Sequence, residues 1–93
     1  MENQIYFTSL YDYYKGLLTN KQREYFEDYY FDNLLMEEIA DNNQVSKNAV
    51  SKSLIEVKEK LEEYESILHL YSNKIKIEEL LEQEELDKII EFI

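Results

Sequence analysis

Across 93 residues the chain contains no proline and a single glycine, Gly16, so almost nothing in it can break a helix. Val, Ile and Thr are scattered rather than gathered into alternating runs, which removes the case for strands. With 44% apolar residues a chain of this length can bury one core, and wholesale disorder is not expected. The fold class that follows is all-α, a helical bundle forming one domain over residues 1–93.

Within that bundle, residues 35–54 (LMEEIADNNQVSKNAVSKSL) read as a helix-turn-helix. A short helix over about Leu35–Asp41 buries Leu35 and Ile39, with Met36 as a third candidate. Ala40 supplies the small side chain needed where the two helices approach. Asn42-Asn43-Gln44 makes the turn, Val45 packs beneath it, and the Ser46 hydroxyl caps the next helix. Ala49, Val50 and Leu54 then continue the buried stripe. Lys47, Asn48, Ser51 and Lys52 are left facing outward at the helix end that enters a major groove in such motifs, so these four are the candidate nucleic-acid-binding residues.

Upstream, Ile5–Leu18 places Phe7, Leu10 or Tyr11, Tyr14 and Leu17 or Leu18 at helical spacing, with Gly16 as the stop. Thr19-Asn20-Lys21-Gln22 is a capping box for a second helix over about Asn20–Phe31, with Phe26, Tyr29 and Tyr30 on its buried side. Most of the nine tyrosines fall in this region. A stacking platform for bases is one use for them. Their three- and four-residue spacing and the acidic surroundings favour the other, ring inside and hydroxyl at the surface.

After Val50 the apolar positions Leu54, Val57, Leu61, Tyr64 and Leu68 alternate in steps of three and four, a heptad seam. The fourth helix, about Ser46–Ile67, is then roughly 33 Å long at 1.5 Å per residue. It outruns a core of three short helices, so its far half needs another cover. The helical C-terminal extension, residues 70–93, carries Tyr71, Ile75, Leu80, Leu81, Leu86, Ile89, Ile90, Phe92 and Ile93. Either it folds back as a hairpin or a second subunit supplies the cover, and a homodimer is the favoured expectation.

Several function classes drop out. There is no cysteine, hence no disulfide framework or thiolate metal site. The N-terminus MENQIYFTSL lacks the basic segment of a signal peptide, and no run approaches a membrane span, so the expected compartment is the cytoplasm. His69, the one histidine, has Glu65 and Asn73 four residues away on either side; one imidazole and one carboxylate make a poor metal site. The pairs Glu37-Glu38, Glu62-Glu63, Glu78-Glu79 and Glu84-Glu85 are sequence neighbours that do not share a helix face. No phosphate loop or catalytic triad is present. No enzyme, no metal and no cofactor is expected.

Charge complicates the obvious conclusion. A helix-turn-helix suggests DNA, and DNA binding is driven by neutralising phosphates, yet the net charge is −11. Residues 1–45 hold three basic and nine acidic side chains, and residues 61–93 hold three and ten. Only residues 46–60 are positive, with Lys47, Lys52, Lys58 and Lys60 against Glu56 and Glu59.

Leu17-Leu18-Thr19 with Lys21-Gln22, Tyr25-Phe26, Tyr29-Tyr30, Glu38-Ile39-Ala40, Val45-Ser46, Ala49-Val50, Leu61-Glu62-Glu63-Tyr64-Glu65 and Leu68 together resemble the YlxM family. These are small helix-turn-helix proteins of low-GC Gram-positive bacteria and mycoplasmas, similar to the promoter-reading region 4 of sigma factors. The resemblance covers about Leu17–Leu70. It implies a role in co-translational protein targeting, with the signal recognition particle, through its protein or RNA component, as partner. The chain departs from the family at Gln44, where a glycine is usual, at Lys47, where an arginine is usual, and at Ser51, where an aromatic is common. Lysine lacks the planar fork that grips guanine or phosphate with two bonds.

Two other functions stand beside that one. A sequence-specific DNA-binding regulator would use Lys47, Asn48, Ser51 and Lys52, a dimer meeting half-sites about 34 Å apart. A dimeric scaffold would have lost nucleic-acid binding altogether.

Overall fold

The computed structural model describes residues 4–92, with side chains as far as residue 82. Five α-helices form, and their ends follow the local chemistry. Helix α1 (Gln4–Tyr14) tightens into a single 3-10 turn, Lys15–Leu17, so the regular helix stops before the expected Leu18. Gly16 is not the reason: it has no left-handed φ and open space where a Cβ would stand. The turn is closed instead by Arg23, whose Nη1 donates to the carbonyls of Lys15 (3.0 Å) and Leu18 (2.9 Å). Helix α2 (Asn20–Tyr30) opens on the expected reciprocal cap. The Gln22 amide donates to Thr19 Oγ1 at 3.2 Å, and the Thr19 amide donates to Gln22 Oε1 at 3.0 Å.

Helix α3 (Met36–Asn43) begins one residue later than its apolar spacing suggests. Leu35 precedes it in extended backbone, its amide donating to Glu38 Oε1 at 3.0 Å. Its side chain is therefore off the helical line shared with Ile39, and it is 60% exposed rather than buried. Ile39 and Ala40 are buried as expected, and Met36 is partly buried. Helix α3 ends in a Schellman motif. The Val45 amide donates to the Ala40 carbonyl at 3.0 Å and the Gln44 amide to the Asp41 carbonyl at 3.3 Å. Val45 stays at the surface instead of packing under the turn.

Gln44 holds the motif's left-handed position, at φ 56° and ψ 43°, the position where a glycine avoids the Cβ clash. Gln44→Gly is expected to stabilise the protein by about 0.5–1 kcal/mol, the relieved strain exceeding the added unfolded-state entropy. Urea unfolding monitored by circular dichroism checks it. A lower midpoint for the glycine variant would contradict this account of the turn.

Helix α4 (Lys47–Leu68) starts on Ser46, whose Oγ accepts from the Ala49 amide at 3.0 Å. Its buried stripe is Val50, Leu54, Val57 and Leu61. Ala49, one residue or about 100° around from Val50, is exposed and does not belong to it. Helix α4 packs on α1, α2 and α3 together, so the proximal heptad seam is covered within the chain. Tyr11, Tyr14, Tyr25 and Tyr30 are buried in this core, and Tyr11 stacks on Phe26 with centroids 4.3 Å apart. Rings so enclosed pack helices and offer no platform to bases. Tyr29, expected inside, is only partly buried, while Tyr25 joins the core unforeseen.

The distal seam departs from expectation: Tyr64 is half-buried, Leu68 is exposed, and the buried residue there is Glu65. His69, exposed and left-handed at φ 55°, breaks the chain direction before α5 (Leu70–Phe92). Helix α5 touches α1 and the end of α4 near its start. It does not fold back along α4, and the molecule measures 62 × 26 × 25 Å. Ile75, Ile77, Leu80 and Leu81 are exposed on it. The expected contributions of Leu86, Ile89, Ile90, Phe92 and Ile93 lie outside the described side chains. No helix is long and apolar enough to cross a membrane among the described residues.

Candidate recognition interface

The corner between α3 and α4 presents Lys47, Asn48, Ser51 and Lys52 together at the N-terminal end of α4. Lys47, Asn48 and Lys52 are exposed and Ser51 is partly buried. The Ser46 cap and the Schellman turn fix where that end stands, because each satisfies backbone groups that would otherwise need water. Asn48, Ser51 and Lys52 line one surface, while Lys47, about 140° around the helix from Lys52, turns toward Glu37 on α3.

Their electrostatics are weaker than their placement. The Lys47 ammonium lies 2.9 Å from Glu37 Oε1 on α3, both side chains being well exposed. An exposed pair of this kind contributes little stability, but it sets an anion of the protein itself beside the cation a phosphate would need. Lys21 of α2 donates to Asn43 Oδ1 at 2.7 Å, at the end of α3, and pairs with Glu24. Among the described residues Lys52 enters no ion pair. Lysine at the first helical position also sits at the positive end of the helix dipole, where an anion is favoured.

Three further residues complete the surface. A shallow open hollow is lined by Asn48, Ser51, Lys52, Ile55, Glu56 and Glu59. Ile55 is 50% exposed within it. Sequence reasoning stopped at Lys52 because it followed the motif; the spacing of Asn48, Lys52, Ile55 and Glu59 was the available signal, since steps of four, three and four share a helix face. A second hollow, at Gln4, Tyr29, Tyr30, Asn33, Leu34 and Leu35, carries no charged side chain.

Among the described residues no three His, Asp or Glu side chains converge where they could hold a metal ion. The displaced titrations lie away from the corner. Burial, the hydrogen bond to Glu27 and that residue's charge push the Tyr11 phenol well above its ordinary range. Burial and the neighbouring Glu24, Asp32 and Glu27 push the Asp28 carboxyl up. Both groups sit on the α1–α2 side and act in packing and charge crowding.

A family described as "Putative helix-turn-helix protein, YlxM / p13 like" matches residues 1–91. A UPF0122 protein of Ureaplasma urealyticum serovar 10 is 45% identical over 75 residues, covering 81% of this chain and 76% of its own. One from Lactococcus lactis subsp. cremoris is 40% identical over 75 residues, covering 81% and 68%. One from Limosilactobacillus reuteri is 42% identical over 72 residues, covering 77% and 64%. The names of these relatives state a family and no activity.

Proposed function

The chain belongs to the YlxM/p13-like UPF0122 family of helix-turn-helix proteins, and from that premise we propose that it is a non-enzymatic regulatory adaptor of co-translational protein targeting. It binds the signal recognition particle, chiefly through the particle's protein component, with the RNA as a second contact. The observation that carries this reading is the charge distribution at the corner. Lys47 is met by the chain's own Glu37, Glu56 and Glu59 offset Lys58 and Lys60 in the shaft below, which turns acidic from Glu62 on, and the whole chain is at −11. An anionic body with a small cationic tip is steered toward a basic, RNA-binding protein and away from bare phosphate.

The test is association of the purified chain with purified particle protein, with particle RNA and with promoter DNA, each at low and physiological salt. Binding to the particle protein that weakens with salt is expected; none even at low ionic strength ends the proposal. The competing reading is a sequence-specific DNA regulator, favoured by the exposed, unpaired Lys52. For it, Lys47→Glu/Lys52→Glu must abolish a mobility shift that the wild type produces. The outcome expected here is no specific shift for either protein.

The exposed Ile77, Leu80 and Leu81 of α5 support the further proposal that α5 meets α5 of a second copy in a homodimer. Most helical stability in proteins comes from packing an apolar face rather than from propensity, and a second copy would cover this one. Sedimentation equilibrium at tens of micromolar, expected to return twice 11.3 kDa, checks it; a monomer there removes the dimer.

A further inference from the structure

We propose that the outward face of α4, centred on Ile55, is the docking surface for a cationic amphipathic helix of a protein partner. This deepens the adaptor reading and rests on it for the partner's identity. Asn48, Lys52, Ile55 and Glu59 follow one another at helical spacing along this face, flanked by Ser51 and Glu56. The span from residue 48 to residue 59 is about 16 Å at 1.5 Å per residue, room for about three turns of an opposing helix.

Ile55 does not serve the fold. The buried stripe Val50, Leu54, Val57 and Leu61 is complete without it, and half of its surface is open. A single exposed isoleucine is ordinary. This one sits in a hollow with a polar and charged rim, the arrangement of an apolar anchor surrounded by groups that exclude water.

The rim also specifies the occupant. Toward the N-terminus of α4 it is cationic, at Lys52. Beyond Ile55 it is anionic, at Glu56 and Glu59, and the exposed Glu62 and Glu63 extend that character. Among the described residues Glu56 and Glu59 enter no ion pair. A nucleic-acid strand laid here would set its phosphates against four carboxylates. A helix with one apolar stripe flanked by Lys and Arg matches instead, its apolar side chain on Ile55 and its cations on the glutamates.

The full chain, labelled with nitrogen-15, is titrated with a short amphipathic leucine/lysine peptide and separately with oligouridine, and amide shifts are mapped by NMR. Peptide-induced shifts concentrated on residues 48–59 are expected, with Ile55→Asp and Glu56→Lys/Glu59→Lys each weakening peptide affinity by about tenfold or more. Both variants change only outward side chains, and unchanged amide dispersion elsewhere confirms their fold. No peptide binding, shifts confined to another face, or shifts on 48–59 produced by oligouridine alone overturns the proposal. Retention of particle-protein binding by Ile55→Asp overturns it too, while leaving the adaptor reading intact. A peptide footprint on this face without any particle-protein binding keeps the docking surface and ends that reading.

Discussion

Phe26→Ala is expected to lower stability by about 4 kcal/mol, the range for deleting a buried aromatic ring and leaving the space behind it. Phe26 is fully buried. It stacks on Tyr11 at 4.3 Å and meets Tyr30 at 4.5 Å and Phe31 at 6.1 Å, so its removal takes ring–ring attraction as well as area. A domain of this size has roughly 5–14 kcal/mol in all, and the midpoint of thermal unfolding should fall by roughly 15–30 °C. Phe26→Leu, which refills most of the volume, should recover at least half of the loss. Thermal and urea unfolding by circular dichroism measure both. If alanine and leucine cost the same, volume is not what Phe26 supplies, and its ring contacts with Tyr11 and Tyr30 carry the loss instead. Tyr11→Phe is the gentler companion: it keeps the stack and removes only the hydroxyl that donates to Glu27, so about 1 kcal/mol is expected.

That cluster was legible in the sequence because periodicity carries it. Leu10, Tyr11, Tyr14, Phe26 and Tyr30 recur at three and four, and burial follows from which face a helix turns inward. The same holds for Val50, Leu54, Val57 and Leu61. Caps were legible for a different reason: Thr19 with Gln22, and Ser46, satisfy backbone amides using local chemistry alone. The errors fall where neither rule operates. Leu35 was read on a helical line with Ile39, but it lies in extended backbone one residue before the helix begins. Ala49 was counted in the stripe of Val50 but lies about 100° around from it, on the exposed side. The course of α5 depends on a tertiary hydrogen-bond cluster between α1, α4 and α5, which no window of sequence contains. Of the candidate interface, the motif exposed Lys47, Asn48, Ser51 and Lys52. Ile55, Glu56 and Glu59 were missed because an exposed isoleucine on an amphipathic helix looks like noise until its neighbours are placed around it.

The carboxylate at the centre of that cluster is the other position where a single change should cost most. Glu65 is only 8% exposed. Its Oε1 accepts from the Tyr14 hydroxyl at 2.7 Å and the Tyr71 amide at 3.0 Å, and its Oε2 accepts from the Ser72 amide at 3.0 Å. The Tyr14 oxygen in turn accepts from the Leu70 amide at 3.1 Å. One side chain of α4 therefore caps the first turn of α5 and anchors both to α1, taking over the orphan amides that a helix start must satisfy. Glu65→Ala strands the hydroxyl and two amides at once, and a loss of about 3 kcal/mol is expected. Glu65→Gln keeps the shape but turns an NH2 toward a donor, and should cost roughly half as much. Amide exchange at Leu70, Tyr71 and Ser72 should accelerate in both variants more than exchange at Val57 or Leu61. Burial alone would raise the Glu65 carboxyl, but the bonds from Tyr14, Tyr71 and Ser72, with His69 nearby, outweigh it and hold it below the usual carboxylate range. The ionised group thus binds its proton less readily folded than unfolded. Its stabilisation is complete above the unfolded value, roughly 4.3, and drains away as pH falls through the lower folded one. Many other carboxylates titrate in that window, so the decisive quantity is the stability difference between wild type and Glu65→Gln. It should be largest at neutral pH and shrink steadily below about pH 4.3. A difference that stays constant to pH 3 would show that Glu65 acts by shape alone, and that the ionised carboxylate is not what sets α5 on its course.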